Sequence, residues 1–211
     1  MTSLRGYAQL LCRLLDGGRI PDPGLLVRAL RTIDVESEKL VQLTGQLLDV
    51  SRVEAGKLRL ERRHVDLTSV VSAAAAAAQA GTDRHTLRLQ LLDECPAFVD
   101  PIRFEQVAAN LLSNAIKYSP DGGEIDVVLC RDAAAQSVRL EVRDRGIGIP
   151  LERRAGLFER FYQAHGDGNF GGLGLGLYIS QQIVQLHGGR IEADFPADGG
   201  TRIAVTVPLS A

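Results

Sequence analysis

The sequence predicts an α+β protein in which a helical hairpin precedes a two-layer α/β sandwich. Three observations carry this expectation. As far as Ala55, apolar residues recur at helical spacing with one break, at Gly17-Gly18 and Pro21-Asp22-Pro23-Gly24. Beyond Leu58, short alternating segments of strand period are interleaved with segments of helical period. The strands have hairpin-type links and the helices fall to one face, which is the pattern of a two-layer arrangement.

The first helix carries Leu4, Tyr7, Ala8, Leu11, Leu14 and Leu15 at helical spacing. The second carries Leu26, Ala29, Leu30, Ile33, Leu40, Leu43, Leu47, Leu48 and Val50, and should end near Ala55-Gly56, where Gly56 can take a left-handed cap. Two helices with stripes this wide would leave them wet, so the hairpin is expected to pair with a second copy. Leu58 to Arg63 reads as an extended connector. Asp66 can cap a helix running through the alanine run to Gly81. Leu87, Leu89 and Leu91 alternate as a strand does, and Ile102 to Tyr118 is a helix burying Phe104, Val107, Ala108, Leu111, Leu112 and Ala115. Ile125, Val127 and Leu129, then Val138, Leu140 and Val142, form two further strands. A short helix and an irregular loop follow Leu151. Leu175 to His187 is a helix stopped by Gly188-Gly189, and strands through Ile191 and Ala193 and through Ile203, Val205 and Val207 close the sheet.

Bulk properties narrow the function. The chain has 211 residues, 45% of them hydrophobic, enough for one domain and an extra element or for two small domains. A net charge of −2 argues against a long basic surface for nucleic acid. Cys12, Cys95 and Cys130 are scattered and odd in number, which fits reduced thiols in a cytoplasmic setting rather than a metal cluster. No apolar run is long enough to span a bilayer, so the anchor of a membrane-bound protein would lie outside this chain.

Three segments carry the chemistry. Asn110, Asn114 and Lys117 recur at i, i+4 and i+7 on one helical stripe, expected to lie opposite the Val107/Leu111 face. Amide oxygens are hard ligands suited to Mg²⁺, and Lys117 can neutralise a phosphate. The alternative is a solvated helix face. Asp144 ends a strand and precedes Gly146 and Gly148. Its carboxylate can accept a hydrogen bond from the exocyclic amine of a purine while the glycines let backbone lie against the base, or it is an ordinary Asp-Gly turn. Gly172, Gly174 and Gly176 alternate with Leu173, Leu175 and Leu177 and open a helix, whose N–H groups can hold an anion, or they form a hinge. The dinucleotide pattern G-x-G-x-x-G is not met and no Walker-type loop occurs. Together the segments read as a nucleotide site. His64, His85, His165 and His187 have no partners by spacing for a triad or metal. They read as structural or solvent-facing, with a cation or a helix cap expected at His187.

In this order the segments resemble sensor histidine kinases of two-component signalling, over nearly the whole chain. Asn110 to Tyr118 is similar to the N box and Asp144 to Gly148 to the first G box. Leu157-Phe158-Glu159-Arg160-Phe161-Tyr162 is similar to the F box and Gly172 to Leu177 to the second G box. Gly199-Gly200-Thr201 fits the final glycine-threonine element. The resemblance implies a Bergerat-type ATP-binding sandwich at residues 58–211, shared with gyrase, a heat-shock chaperone and a mismatch-repair ATPase. Residues 1–57 would be the dimerisation and phosphotransfer hairpin. ATP and Mg²⁺ are the implied cofactors. Asp144 would hold the adenine amine, Asn114 and Asn110 the metal, Lys117 and Arg160 would face the phosphates, and Tyr118 would flank the nucleotide. Gly146, Gly148, Phe161, the residues from Gly172 to Leu177 and Thr201 complete the implied site. The loop Gln163 to Gly171 would be the lid, with Gln163 and Ala164 where relatives often carry an additional arginine.

Thr2 to Leu11 is similar to the later half of the first hairpin helix, and Leu47 to Lys57 to the end of the second. The family's acceptor histidine would lie about two turns upstream of Thr2. The resemblance therefore implies a truncated catalytic core that binds Mg-ATP without phosphorylating itself and dimerises more weakly than a full hairpin. In the full protein the γ-phosphoryl would pass to a histidine and on to an aspartate of a response regulator receiver domain. The full-length protein would be cytoplasmic or anchored at the inner membrane. Two other readings stay open: a kinase-like binding module starting naturally at Met1, and an anti-sigma-type serine kinase.

Overall fold

A computed structural model describes residues 2–18, 20–132, 135–165 and 172–209. The chain divides into two compact units, residues 1–51 and 52–211.

Two helices make up the first unit, α1 (Thr2–Asp16) and α2 (Pro23–Glu54), the latter ending in the second unit. Asp22 starts α2, its side chain accepting from Leu25 N at 3.1 Å, and Gly56 ends it at φ 62° as expected. Little of this unit's apolar surface is covered by its own chain. Leu11, Ala29 and Val50 are buried, whereas Val41, Val35 and Leu48 are 71, 60 and 58% exposed. No described helix is long and apolar enough to cross a membrane.

The second unit is the expected two-layer sandwich. Its elements are β1 (Arg63–Asp66), α3 (Leu67–Ala80), β2 (His85–Gln90), β3 (Pro96–Val99), α4 (Pro101–Lys117), β4 (Gly123–Asp132) and β5 (Ser137–Arg143). A 3-10 turn (Leu151–Arg153), α5 (Gly176–Leu186), β6 (Arg190–Asp194) and β7 (Arg202–Pro208) follow. Five strands form one sheet in the order β2-β4-β5-β7-β6. Only the β2/β4 pair is parallel; the others are antiparallel. Period-two alternation sends Ile125, Val127, Leu129, Leu140, Val205 and Val207 into the core. The opposite face carries charge that pairs between strands, as in Arg88–Glu124, Arg139–Glu192 and Arg202–Asp194. One face is therefore oily and the other wet, so all three helices lie on the oily one. They bury Leu67 and Val71 from α3, Phe104, Leu111 and Leu112 from α4, and Ile179 and Ile183 from α5.

Capping fixes where two of these helices start. The Asp66 carboxylate accepts from Thr68 N, Ser69 N and Ser69 Oγ, and from Cys95 N at 2.7 Å. The Cys95 N–H is the largest cause, and the Ser69 hydroxyl the next, of a carboxyl pKa lowered to about 2. Asp100 does the same for α4 through Arg103 N at 3.1 Å, with Pro101 at the first helical position.

Two elements differ from expectation. The connector runs into a strand, β1, which pairs antiparallel with β3, a segment with no strand signal in the sequence. Both are four residues long and β3 begins with a proline, so neither shows a readable alternation. In β2, Leu89 is 45% exposed and Leu91 falls past the strand end. This strand lies at the sheet edge, where alternation reports burial weakly.

Candidate functional site

The site forms where α4 ends, β5 ends and α5 begins. Asp144 is the first residue past β5 and is 6% exposed. Its backbone N donates to Thr201 O at 2.9 Å, and its Oδ1 accepts from Gly146 N at 2.9 Å and Thr201 N at 3.2 Å. Burial pushes this carboxyl up, and the two N–H groups only partly oppose it. The result is a fixed acidic group at the sheet's end, tied to the last glycine-threonine element.

The glycines around it are needed for backbone contact. A Cβ on Gly146 would lie 2.0 Å from Tyr118 O, and one on Gly200 would lie 2.1 Å from Asp144 O. Ile147 N donates to Tyr118 O at 3.0 Å, which knits the first glycine loop to the end of α4. Gly148, at φ 64°, faces Gly200. These contacts join three segments that are far apart in the chain.

On α4, Asn110, Asn114 and Lys117 share one stripe, and all three are half-buried. The stripe borders the Val107/Leu111 face rather than lying opposite it, because residues three and four apart are separated by far less than half a turn of the helix. Asn110 Nδ2 donates to the buried Ser180 Oγ at 2.9 Å. Its Oδ1 stands 2.1 Å from where a Cβ on Gly176 would sit. Gly176 is therefore the contact that lets α5 start against α4. Lys117 Nζ lies 3.1 Å from Tyr118 Oη and 4.6 Å from that ring's centroid, and it faces Gly172 across 3.5 Å from the Cβ position. Gly172 and Gly174 take φ 126° and 68°. A Cβ on Gly174 would meet Tyr162 O at 2.5 Å. Among the described residues no side chain caps the N-terminus of α5, where the first-turn N–H groups can take an anion.

Other expected site residues are placed differently. Leu175 is fully buried, so only its backbone can reach a ligand; Leu173 and Leu177 are half-buried. Arg160 is ion-paired with Glu54, and its guanidinium carbon lies 5.8 Å from the Tyr178 ring centroid. Phe161 is 60% exposed with φ 60°, a left-handed position for a bulky residue. Gln163 Nε2 donates to Gly172 O at 2.8 Å. Most of the expected lid, 166–171, lies outside the described residues.

His64, His85 and His187 are structural, though not as a group at the surface. His85 is buried, with Nδ1 2.8 Å from Thr82 Oγ1 and Nε2 2.8 Å from Ser119 O. His187 is not the cation that a helix C-terminus could hold. Burial pushes its pKa down, Nδ1 donates to Ile183 O, and Nε2 accepts from Asp100 N at 3.0 Å. His64 packs on Phe98 at 5.0 Å. Ser119 and Ser180 join the site without having been singled out, each a single polar residue whose partner is distant in sequence; His165 also lies there, against Gly148 O and the Tyr118 ring. Among the described residues no three His, Cys, Asp or Glu side chains gather for a metal ion.

Residues 99–211 match the family described as histidine kinase-, DNA gyrase B-, and HSP90-like ATPase. The chain is 35% identical over 183 residues to the alginate biosynthesis sensor protein KinB of Pseudomonas aeruginosa, covering 85% of this chain and 30% of that protein. It is 29% identical over 212 residues to the sensor histidine kinase WalK of Bacillus subtilis, covering 99% of this chain and 34% of that protein. It thus spans about a third of the length of these curated relatives. Among solved structures, the Acinetobacter baumannii histidine kinase AdeS superposes with a TM-score of 0.71 at 27% identity, covering 99% of this chain and 94% of that one.

Proposed function

Because the chain belongs to the histidine kinase-, DNA gyrase B-, and HSP90-like ATPase family and carries the catalytic core of a sensor histidine kinase, we propose that the site described above binds Mg-ATP for transfer of the γ-phosphoryl to a histidine and onward to a response regulator. One observation carries the site assignment. The buried Asp144 carboxyl is held by two backbone N–H groups, on glycine-rich backbone that nothing but glycine can form. A base with an exocyclic amine is the partner this arrangement suits.

Asp144 accepts from the adenine amine, and the Gly146–Gly148 backbone lies along the base. Lys117 and the first turn of α5 neutralise the phosphate tail. The donor set fits Mg²⁺ held mainly by phosphate and water oxygens, since the amide oxygens of Asn114 and Asn110 are the hard ligands on this stripe and no carboxylate cage is present among the described residues. When bound, Mg²⁺ would offset charge on the phosphates. The site supplies positioning and charge, which phosphoryl transfer needs more than a protein nucleophile. None of this chain's four histidines is the acceptor in this reading. His85 and His187 are buried with both ring nitrogens engaged, while His64 and His165 are packed on aromatic rings. Histidine transfer would use a copy of the acceptor outside this chain, and the exposed stripes of α1 and α2 would pair with a second hairpin.

The test is titration with a non-hydrolysable ATP analogue, with and without Mg²⁺, for the wild type, Asn114→Ala and Asp144→Ala. Asn114→Ala should lose the metal-dependent part of the affinity. Asp144→Ala should lose the preference for adenine over bases without that amine. Equal binding by all three proteins overturns the assignment.

A further inference from the structure

The segment after Tyr162 carries an imidazole that the reading above does not use. His165 Nε2 lies 2.8 Å from the Gly148 carbonyl oxygen, 17 residues back in the chain. A carbonyl only accepts, so Nε2 carries the hydrogen. The ring also packs on Tyr118, with centroids 5.7 Å apart and planes tilted by 40°, a favourable offset for two aromatic rings. Both partners belong to the half of the site that holds Asp144. Tyr118 O accepts from Ile147 N, and Gly146 N donates to Asp144 Oδ1. Two residues earlier, Gln163 fastens the same stretch of chain to Gly172 O. His165 is thus joined to the first glycine loop and Gln163 to the second.

We propose that His165 is a positioning residue for the nucleoside end of the ligand. It holds the Gly148 peptide in its left-handed turn and braces the Tyr118 ring, so that the base meets a wall of fixed shape. This rests on the nucleotide reading of the site. The placement beside residues 118 and 148, not beside the first turn of α5, gives it a definite signature. Its removal weakens every ligand that carries the nucleoside and does so regardless of the number of phosphates.

The test compares the affinities of ATP, ADP and adenosine for the wild type, His165→Ala, His165→Gln and His165→Phe, with Asp144→Ala as the control and melting curves for each. His165→Ala should weaken all three ligands by the same factor, about tenfold for one hydrogen bond and one ring contact together, with a single cooperative melt retained. His165→Gln should recover the share due to the donor and His165→Phe the share due to the ring. Unchanged affinities, a loss confined to ATP, tighter binding, or no recovery in either conservative variant overturns the proposal. The two readings fail separately. If Asp144→Ala abolishes binding and His165→Ala does not weaken it, only this inference falls. If the wild type binds none of the three, the site assignment falls with it.

Discussion

Substituting Gly176 by alanine sets two rules against each other. Gly176 begins α5 with no positive φ, so helix propensity alone favours Gly176→Ala by up to about 1 kcal/mol. The tertiary structure opposes it. The new Cβ would lie 2.1 Å from Asn110 Oδ1 and 2.9 Å from its Cγ. The Asn110 amide cannot swing away without leaving the buried Ser180 Oγ, to which it donates at 2.9 Å. Losing that bond costs about 1 kcal/mol, and forcing a methyl into a filled space costs about 1–3 kcal/mol more. The net effect is a loss of about 1–3 kcal/mol once the propensity gain is subtracted. In an Asn110→Ala background the obstacle is gone, and Gly176→Ala should stabilise by about 0.5–1 kcal/mol. The sign therefore reverses between backgrounds, with a coupling energy of about 1.5–4 kcal/mol, towards the upper end of what residues in contact show. Urea unfolding of the four proteins measures it. The chain has no tryptophan, and three of its four tyrosines, Tyr118, Tyr162 and Tyr178, lie in the second unit, so tyrosine emission reports that unit. A stabilising Gly176→Ala in the wild type, or the same cost in both backgrounds, refutes the reasoning.

Two further outcomes follow from the carboxylates. Asp66→Ala should cost about 1–2 kcal/mol, the loss of an N-cap, and should alter the acid limb of the stability profile. The folded Asp66 pKa of about 2 lies below the unfolded value of 3.8, so its contribution is present above pH 3.8 and is lost as the pH falls towards 2. The difference in melting temperature between wild type and variant should shrink across that window. Asp144 has the opposite sign. Its pKa is raised by burial, so the charged form costs stability, a cost absent below pH 3.8 and growing as the pH rises through the folded pKa. Asp144→Asn, which keeps an acceptor oxygen for Gly146 N and Thr201 N, should melt no lower than wild type at pH 7. Calorimetric titration should nevertheless show nucleotide affinity reduced by about 10- to 100-fold, since a hydrogen bond to a charged group is worth about 1.5–3 kcal/mol.

Most of the fold could be read from the sequence because its core elements are long and periodic. Helix α4 shows its buried stripe directly, and β5 alternates between an oily and a charged face, as does the first half of β4. Asp66 and Gly56 mark helix ends through a side chain or a glycine acting a few residues away. The strands β1 and β3 could not be read, since four residues and a proline leave no period and their pairing is set by a partner thirty or more residues distant. Within the site, Asn110, Asn114, Lys117, Asp144 and the glycines were legible as residue types at a spacing.

Their duties were less so. The sequence alone determined which residues are available for holding a nucleotide, because backbone periodicity and glycine's freedom are local properties. Only the tertiary structure decided what each one touches. It turned Gly176 and Gly146 into points where helix and loop meet without room for a methyl group, bound Asn110 to Ser180, and paired Arg160 with Glu54. It also carried His165 to the Gly148 carbonyl and buried His187 as a neutral ring. Such contacts join segments tens of residues apart, and their energies depend on distance in space, which a linear pattern of residue types does not encode.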